Sequence, residues 1–86
     1  MFVVMAYDVD AKRVKKVHSI SQKYLIQVQQ SLFQGNLSVK QLQRLQNELS
    51  MVLNSDTDKV IFYKSADNML VEIDQFGASC DEEMIL

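Results

Sequence analysis

Tyr7, Asp8 and Asp10 stand where an apolar run gives way to a polar segment. If that run is a strand and continues, Asp8 and Asp10 project from the same side, because side chains alternate with period two. A carboxylate there, beside the start of a basic segment, could hold Mg2+. That ion prefers oxygen ligands and keeps several waters, so one or two carboxylates and a phosphate suffice. The same spacing also fits Asp10 as a helix N-cap and Asp8 as a turn residue. Just beyond lie Lys12, Arg13, Lys15 and Lys16. On one helix face they could grip phosphates by charge, without sequence preference; as a solvated face they would bind nothing. The residues leave both choices open. His18 and Cys80 are the single members of their types, and no Ser-His-Asp or Cys-His-Asn set accompanies them. Tyr24, Phe33, Phe62 and Tyr63 read most simply as core or sheet-face residues, since no basic residues interleave them in the manner of a base-stacking row.

The elements that must position these groups are legible from pattern. Phe2 to Tyr7 is a continuous apolar run rich in β-branched and aromatic residues, which predicts a buried central strand. Val14, Val17, Ile20, Tyr24 and Leu25 recur at spacings of three and four among lysines, predicting an amphipathic helix over about 11–24 with a basic outer face. Ile26 to Phe33 alternates and predicts a strand, or a tight kinked pair ending near Gly35-Asn36. Ser38 followed three residues later by Gln41 is a capping box; Leu42, Leu45, Leu49, Val52 and Leu53 supply the apolar stripe of the helix it starts. Lys59 to Tyr63 predicts another strand, and Met69 to Ile73 a shorter one that Phe76-Gly77 ends. This order is that of a β-α-β-β-α-β sandwich: α+β, ferredoxin-like, an antiparallel sheet with two helices on one face. One domain is expected over 1–86, with a core of about 1–64 and a C-terminal extension of about 65–86.

Composition bounds the rest. At 86 residues, 48% hydrophobic and 23% charged, the chain has room for one domain. A domain of this size buries only about 60% of its unfolded surface, so dimerisation is a natural remedy for a marginal core. One cysteine excludes an internal disulfide framework and a multi-cysteine zinc site and fits a reducing, cytoplasmic compartment. No apolar run approaches the roughly 18 residues of a membrane span, and Phe2 to Tyr7 lacks the flanks of a signal peptide. Two glycines and no proline leave no phosphate-cradling glycine loop. The net charge of -2 conceals a polarity: seven basic residues against three acidic ones up to Leu53, then two against eight from Asn54 onward. A polyanionic partner is therefore compatible with an acidic chain, provided the basic residues share a face.

Taken together, Val3-Val4-Met5-Ala6-Tyr7-Asp8-Val9, the Lys/Arg cluster and Val28-Gln29-Gln30-Ser31-Leu32-Phe33-Gln34-Gly35 resemble the second core family of CRISPR-associated proteins. Asp58 to Tyr63, Val71-Glu72-Ile73, Phe76-Gly77 and the terminal Met84-Ile85-Leu86 fit its later segments, so the likeness spans the whole chain. It departs from the pattern at Leu25, often glycine in the family, at Gln27, commonly arginine, and at Gln34, where the family has glutamate.

The resemblance implies a ferredoxin-like homodimer in which Asp8 of each protomer faces the other and the two share a Mg2+ ion. It implies catalytic roles for Asp8, Tyr7 and Phe33, and nucleic-acid binding by Lys12, Arg13, Lys15 and Lys16. The implied function is a CRISPR adaptation subunit that scaffolds spacer integration with an integrase partner. Mg2+-dependent endonuclease capacity on single-stranded RNA or duplex DNA comes with it. The alternative class is a small ferredoxin-like regulatory or interaction domain without nucleic-acid chemistry. Glu82 to Leu86 would add a strand to the other protomer or meet the integrase.

Overall fold

In the computed structural model, residues 1–65 and 71–77 are described. The expected start of the last strand at Met69-Leu70, the tail Glu82 to Leu86 and Cys80 lie outside them.

Seven elements follow in order: β1 (Phe2–Asp8), α1 (Ala11–Ser21), β2 (Ile26–Gln29), β3 (Leu32–Asn36), α2 (Val39–Ser50), β4 (Lys59–Ser65) and β5 (Val71–Gly77). The strands form one sheet in the order β2-β3-β1-β4-β5, every neighbouring pair antiparallel. This is the expected ferredoxin-like α+β arrangement, with a fifth strand beyond β4.

Alternation along β1 decides what is core. Val3, Met5 and Tyr7 are buried, and Met5 lies between Phe33 of β3 and Phe62 of β4 in the register. These residues share one hydrophobic cluster with Val17 of α1 and Leu42, Leu45 and Leu49 of α2, so both helices pack on this face. The capping box forms as the sequence predicts: the Gln41 amide donates to the Ser38 hydroxyl oxygen at 3.1 Å, and the Ser38 amide donates to the Gln41 side-chain oxygen at 2.9 Å.

Two boundaries differ from expectation. The first helix stops at Ser21 and not near 24, because the chain must turn to bury Leu25. The Tyr24 and Leu25 amides both donate to the Ser21 carbonyl, and the Lys23 ammonium and Tyr24 hydroxyl both donate to Glu48 of α2. The last strand runs on to Gly77, since Phe76 pairs with Val60 and packs against the core. Ile26 to Asn36 forms the tight pair of strands, with a bulge between Gln27 and Gln29.

The reading of β1 as a buried strand holds for one face only. Phe2, Val4, Ala6 and Asp8 turn the other way, in register with Leu32, Ile61 and Tyr63, while Ile73 follows beside Tyr63. Ile26 (74% exposed) and Ile73 (52%) mark the flanks of this second face. No described helix covers it.

Candidate active site

Asp8 closes β1 on the open face, exposed, and its carboxylate makes no hydrogen bond or ion pair among the described residues. Its strand-end position follows from Val9-Asp10: the backbone leaves the sheet there because Asp10 starts α1. The Asp10 carboxylate accepts the Lys12 amide at 3.0 Å, so Asp10 is the N-cap. The strand ends at Asp8, so the alternation that would carry Asp10 to the same side does not continue, and the capping reading of Asp10 holds.

Tyr7 and Phe33 lie on the opposite side of the sheet from Asp8. Phe33 is fully buried, and the two rings stack at 6.1 Å between centroids. The Tyr7 hydroxyl donates to the Gln30 carbonyl at 3.2 Å, while its backbone amide donates to the Ser31 carbonyl at 3.2 Å. Burial pushes the phenol's pKa up, so it stays protonated. In this structure both rings brace the strand that carries Asp8. His18 packs its edge on Phe33 and shares a 2.8 Å hydrogen bond with Gln27, a structural place for the lone histidine.

The four basic residues divide. Arg13 turns inward: its Nε meets Asp58 Oδ2 at 2.5 Å, and Nη2 donates to Asp58 Oδ1 at 3.0 Å and to Thr57 at 3.2 Å. Asp58 is fully buried and also accepts the amides of Asp10 and Asn54, each at 2.9 Å. The Arg13 guanidinium first, then these amides, hold its carboxyl well below the usual carboxylate range against the opposing effect of burial. Arg13, expected on the phosphate-gripping face, is thus committed within the fold. Lys12, Lys15 and Lys16 are exposed, free of ion pairs among the described residues, and border a hollow of ≈ 710 Å³ with Arg13, Ser19, Met51 and Val52.

Two residues that spacing could not single out stand at the site. Asp58 ties the α2–β4 turn to the backbone just after Asp8. Lys59 pairs with Asp8 in the β1–β4 register and shares with it a hollow of ≈ 140 Å³. A second hollow of ≈ 360 Å³ opens on the other flank of Asp8, lined also by Tyr7, Val9, Val14, Gln30 and Ser31. A larger one of ≈ 500 Å³ between α2 and β5 lies apart from this chemistry; its Asp74 is bonded by Gln46 and Lys64.

As a metal ligand, Asp8 suits a hard cation: it is a carboxylate, solvated and uncommitted. No group of three His, Cys, Asp or Glu residues converges among the described residues.

The fold and this strand-end carboxylate define a ferredoxin-like α+β domain with an acidic centre beside a lysine-rich helix. The chain belongs to the family of CRISPR associated protein Cas2, whose model matches residues 1–73. It is 35% identical over 77 residues to the CRISPR-associated endoribonuclease Cas2 of Methanosarcina acetivorans, covering 90% of this chain and 88% of that one. The Thermotoga maritima protein of the same name is 35% identical over 83 residues, 96% and 95% of the two chains. A crystal structure of Streptococcus pyogenes Cas2 at pH 6.5 superposes with a TM-score of 0.71 at 26% identity, covering 79% of this chain and 89% of that one. Another crystal structure of Cas2 gives 0.70 at 37% identity, over 84% and 86%.

Among the described residues, no helix is long and apolar enough to cross a membrane.

Proposed function

We propose that the chain is a CRISPR adaptation subunit that works as a homodimer, spaces an integrase partner on duplex DNA, and carries a Mg2+-dependent endonuclease centre at Asp8. The relatives' common name, endoribonuclease, supports RNA as one substrate. The observation that carries the reading is the uncommitted Asp8 on an apolar sheet face that the described part of the chain leaves bare. Sheets pack face to face about 10 Å apart, and a two-fold axis would bring the same patch of both chains together. Such packing buries Phe2, Val4, Tyr63 and Ile73 and turns two half-sites into one.

When bound there, Mg2+ would supply Lewis-acid stabilisation of charge on the phosphate and a more acidic water. The chain's own residues do the rest. Asp8 anchors the ion, Tyr7 and Phe33 fix the strand from beneath, and Arg13 with Asp58 fixes the loop that follows it. Lys12, Lys15 and Lys16 hold the backbone of the nucleic acid.

Purified protein incubated with a labelled single-stranded RNA should cleave it in Mg2+, stop on chelation and resume when Mg2+ is restored. Cleavage that persists in EDTA would refute the metal centre.

A second test concerns the helix. Replacing Lys12 and Lys16 together by alanine should weaken duplex binding and flatten its salt dependence by roughly 0.9 in log-log slope for each phosphate no longer neutralised. An unchanged slope would return those lysines to the solvated-face reading.

A further inference from the structure

We propose that Lys59 is a catalytic residue of the Asp8 centre, its ammonium contacting the scissile phosphate. The proposal rests on the reading of Asp8 as the metal anchor and adds the group that binds the substrate's charge.

Lys59 opens β4, and the β1–β4 register sets it directly opposite Asp8. Residues paired in this way carry Cβ atoms about 4.5–5.5 Å apart on the same face. Which face is fixed by its neighbours: Val60 and Phe62 are buried under the helices, so Lys59 and Ile61 turn with Asp8 to the open side. Ala6, Tyr7, Asp8, Lys59 and Ile61 line one hollow.

The other cations close to carboxylates are already engaged. Arg13 is held by Asp58, Lys23 by Glu48, and Lys64 by Glu72 and Asp74. Lys59 is half-buried at the mouth of the site, yet it makes no ion pair among the described residues, not even with Asp8. If its task were to neutralise Asp8, the two would be in contact.

Charge balance gives Lys59 its role. Two Asp8 carboxylates and one divalent cation cancel, so a bound phosphodiester leaves the centre negative. Attack by an oxygen nucleophile that has given its proton to solvent brings a further negative charge onto the phosphoryl oxygens before the opposite oxygen departs and is protonated by solvent. Two Lys59 ammonium groups, one from each protomer, offset both charges and are worth most at the transition state, where the charge is largest. Lys59 forms no bond to phosphorus and transfers no proton in this role; it donates hydrogen bonds to non-bridging oxygens. The ordinary ammonium geometry, a point charge on a flexible stem, suits that task, and arginine can replace it.

The experiment compares Lys59→Gln, Lys59→Arg and Asp8→Asn with the wild type, after thermal melts establish that each folds. Single-stranded RNA cleavage in Mg2+ is read as kcat and KM. Binding of a single-stranded RNA oligonucleotide in EDTA, where metal-dependent cleavage is stopped, is read against salt. Lys59→Gln should lower kcat by about 100-fold, the loss typical of one charge-stabilising donor. It should also make the salt slope shallower by roughly 0.7 for each single-strand phosphate that the ammonium had neutralised. Lys59→Arg should restore both. Asp8→Asn should lose cleavage while keeping the metal-free slope, which separates the two residues. An inactive Asp8→Asn beside a Lys59→Gln with wild-type kcat and slope overturns the proposal and leaves the Asp8 reading standing. Wild-type cleavage by Asp8→Asn overturns both. If the wild type cleaves nothing, the slope in EDTA alone decides, and an unchanged slope in Lys59→Gln refutes the phosphate contact.

Discussion

Asp8→Asn is expected to reduce metal-dependent cleavage by about 10³-fold or more, the several kcal/mol that a bound Lewis acid contributes. The substitution keeps the side chain's shape and removes the negative charge that, on the proposed reading, holds the ion, so the proposed symmetric site would lose one ligand from each protomer. Folding should barely respond, because Asp8 is exposed at a strand end and its side chain has no partner among the described residues. Sedimentation at micromolar concentration should give twice the 9.9 kDa chain mass for wild type and variant alike. On the proposed reading, in which Lys12, Lys15 and Lys16 and not the metal grip the duplex, spacer insertion with the integrase should survive. Loss of cleavage with insertion intact places the cellular role in the scaffold. Loss of both, with the dimer intact, makes the nuclease essential. Undiminished cleavage removes Asp8 from the chemistry.

The largest effect on stability is expected at Asp58. Its carboxylate is buried and accepts from Arg13, from the Asp10 and Asn54 amides and, more weakly, from the Thr57 hydroxyl. Asp58→Ala strands those donors inside the fold, and breaking a buried pair from one side costs about 3–5 kcal/mol. For a domain of this size that is a large share of the whole stability. Each kcal/mol moves the midpoint by about 4–8 °C, so the melting temperature should fall by more than about 12 °C at fixed protein concentration. A drop under about 3 °C would show that Asp58 is no keystone. The pair also sets an acid limit. Its folded-state pKa lies below the unfolded value, so its stabilisation is complete above the ordinary carboxylate pKa of about 4 and is lost as pH falls from there toward the folded value. The wild type should therefore lose stability steeply below about pH 4, and Asp58→Ala should lack that component. Gly77 completes this corner. Its φ of 100° is open to glycine, and a Cβ there would stand 1.9 Å from the Asp58 carbonyl oxygen.

Local signals were sufficient wherever the physics is local. The apolar run of β1, the three-and-four spacing of α1 and α2, the Ser38–Gln41 box and the Asp10 cap all act within a few residues, so the sequence alone determined them. The order of those elements was enough for the ferredoxin-like fold. The strand-end position of Asp8 was legible for the same reason, as the last polar break before a helix start.

What depends on pairing across the sheet was not legible. Arg13 and Lys12 are alike in sequence, but only Arg13 lies where a buried carboxylate, 45 positions away, can accept its fork. Tyr7 adjoins Asp8 in sequence yet lies with Phe33 of β3 under it in space, because alternation turns both rings to the helix side while Asp8 turns outward. Lys59 meets Asp8 only through the β1–β4 register, which no spacing records. Most of all, Phe2 to Tyr7 is apolar on both faces, and composition cannot say which face the chain covers itself. Two helices of 11 and 12 residues cover one side; the other stays open because no further described element reaches it. Hydrophobic periodicity records what must leave water, and only the tertiary structure decides which surface leaves it within the chain.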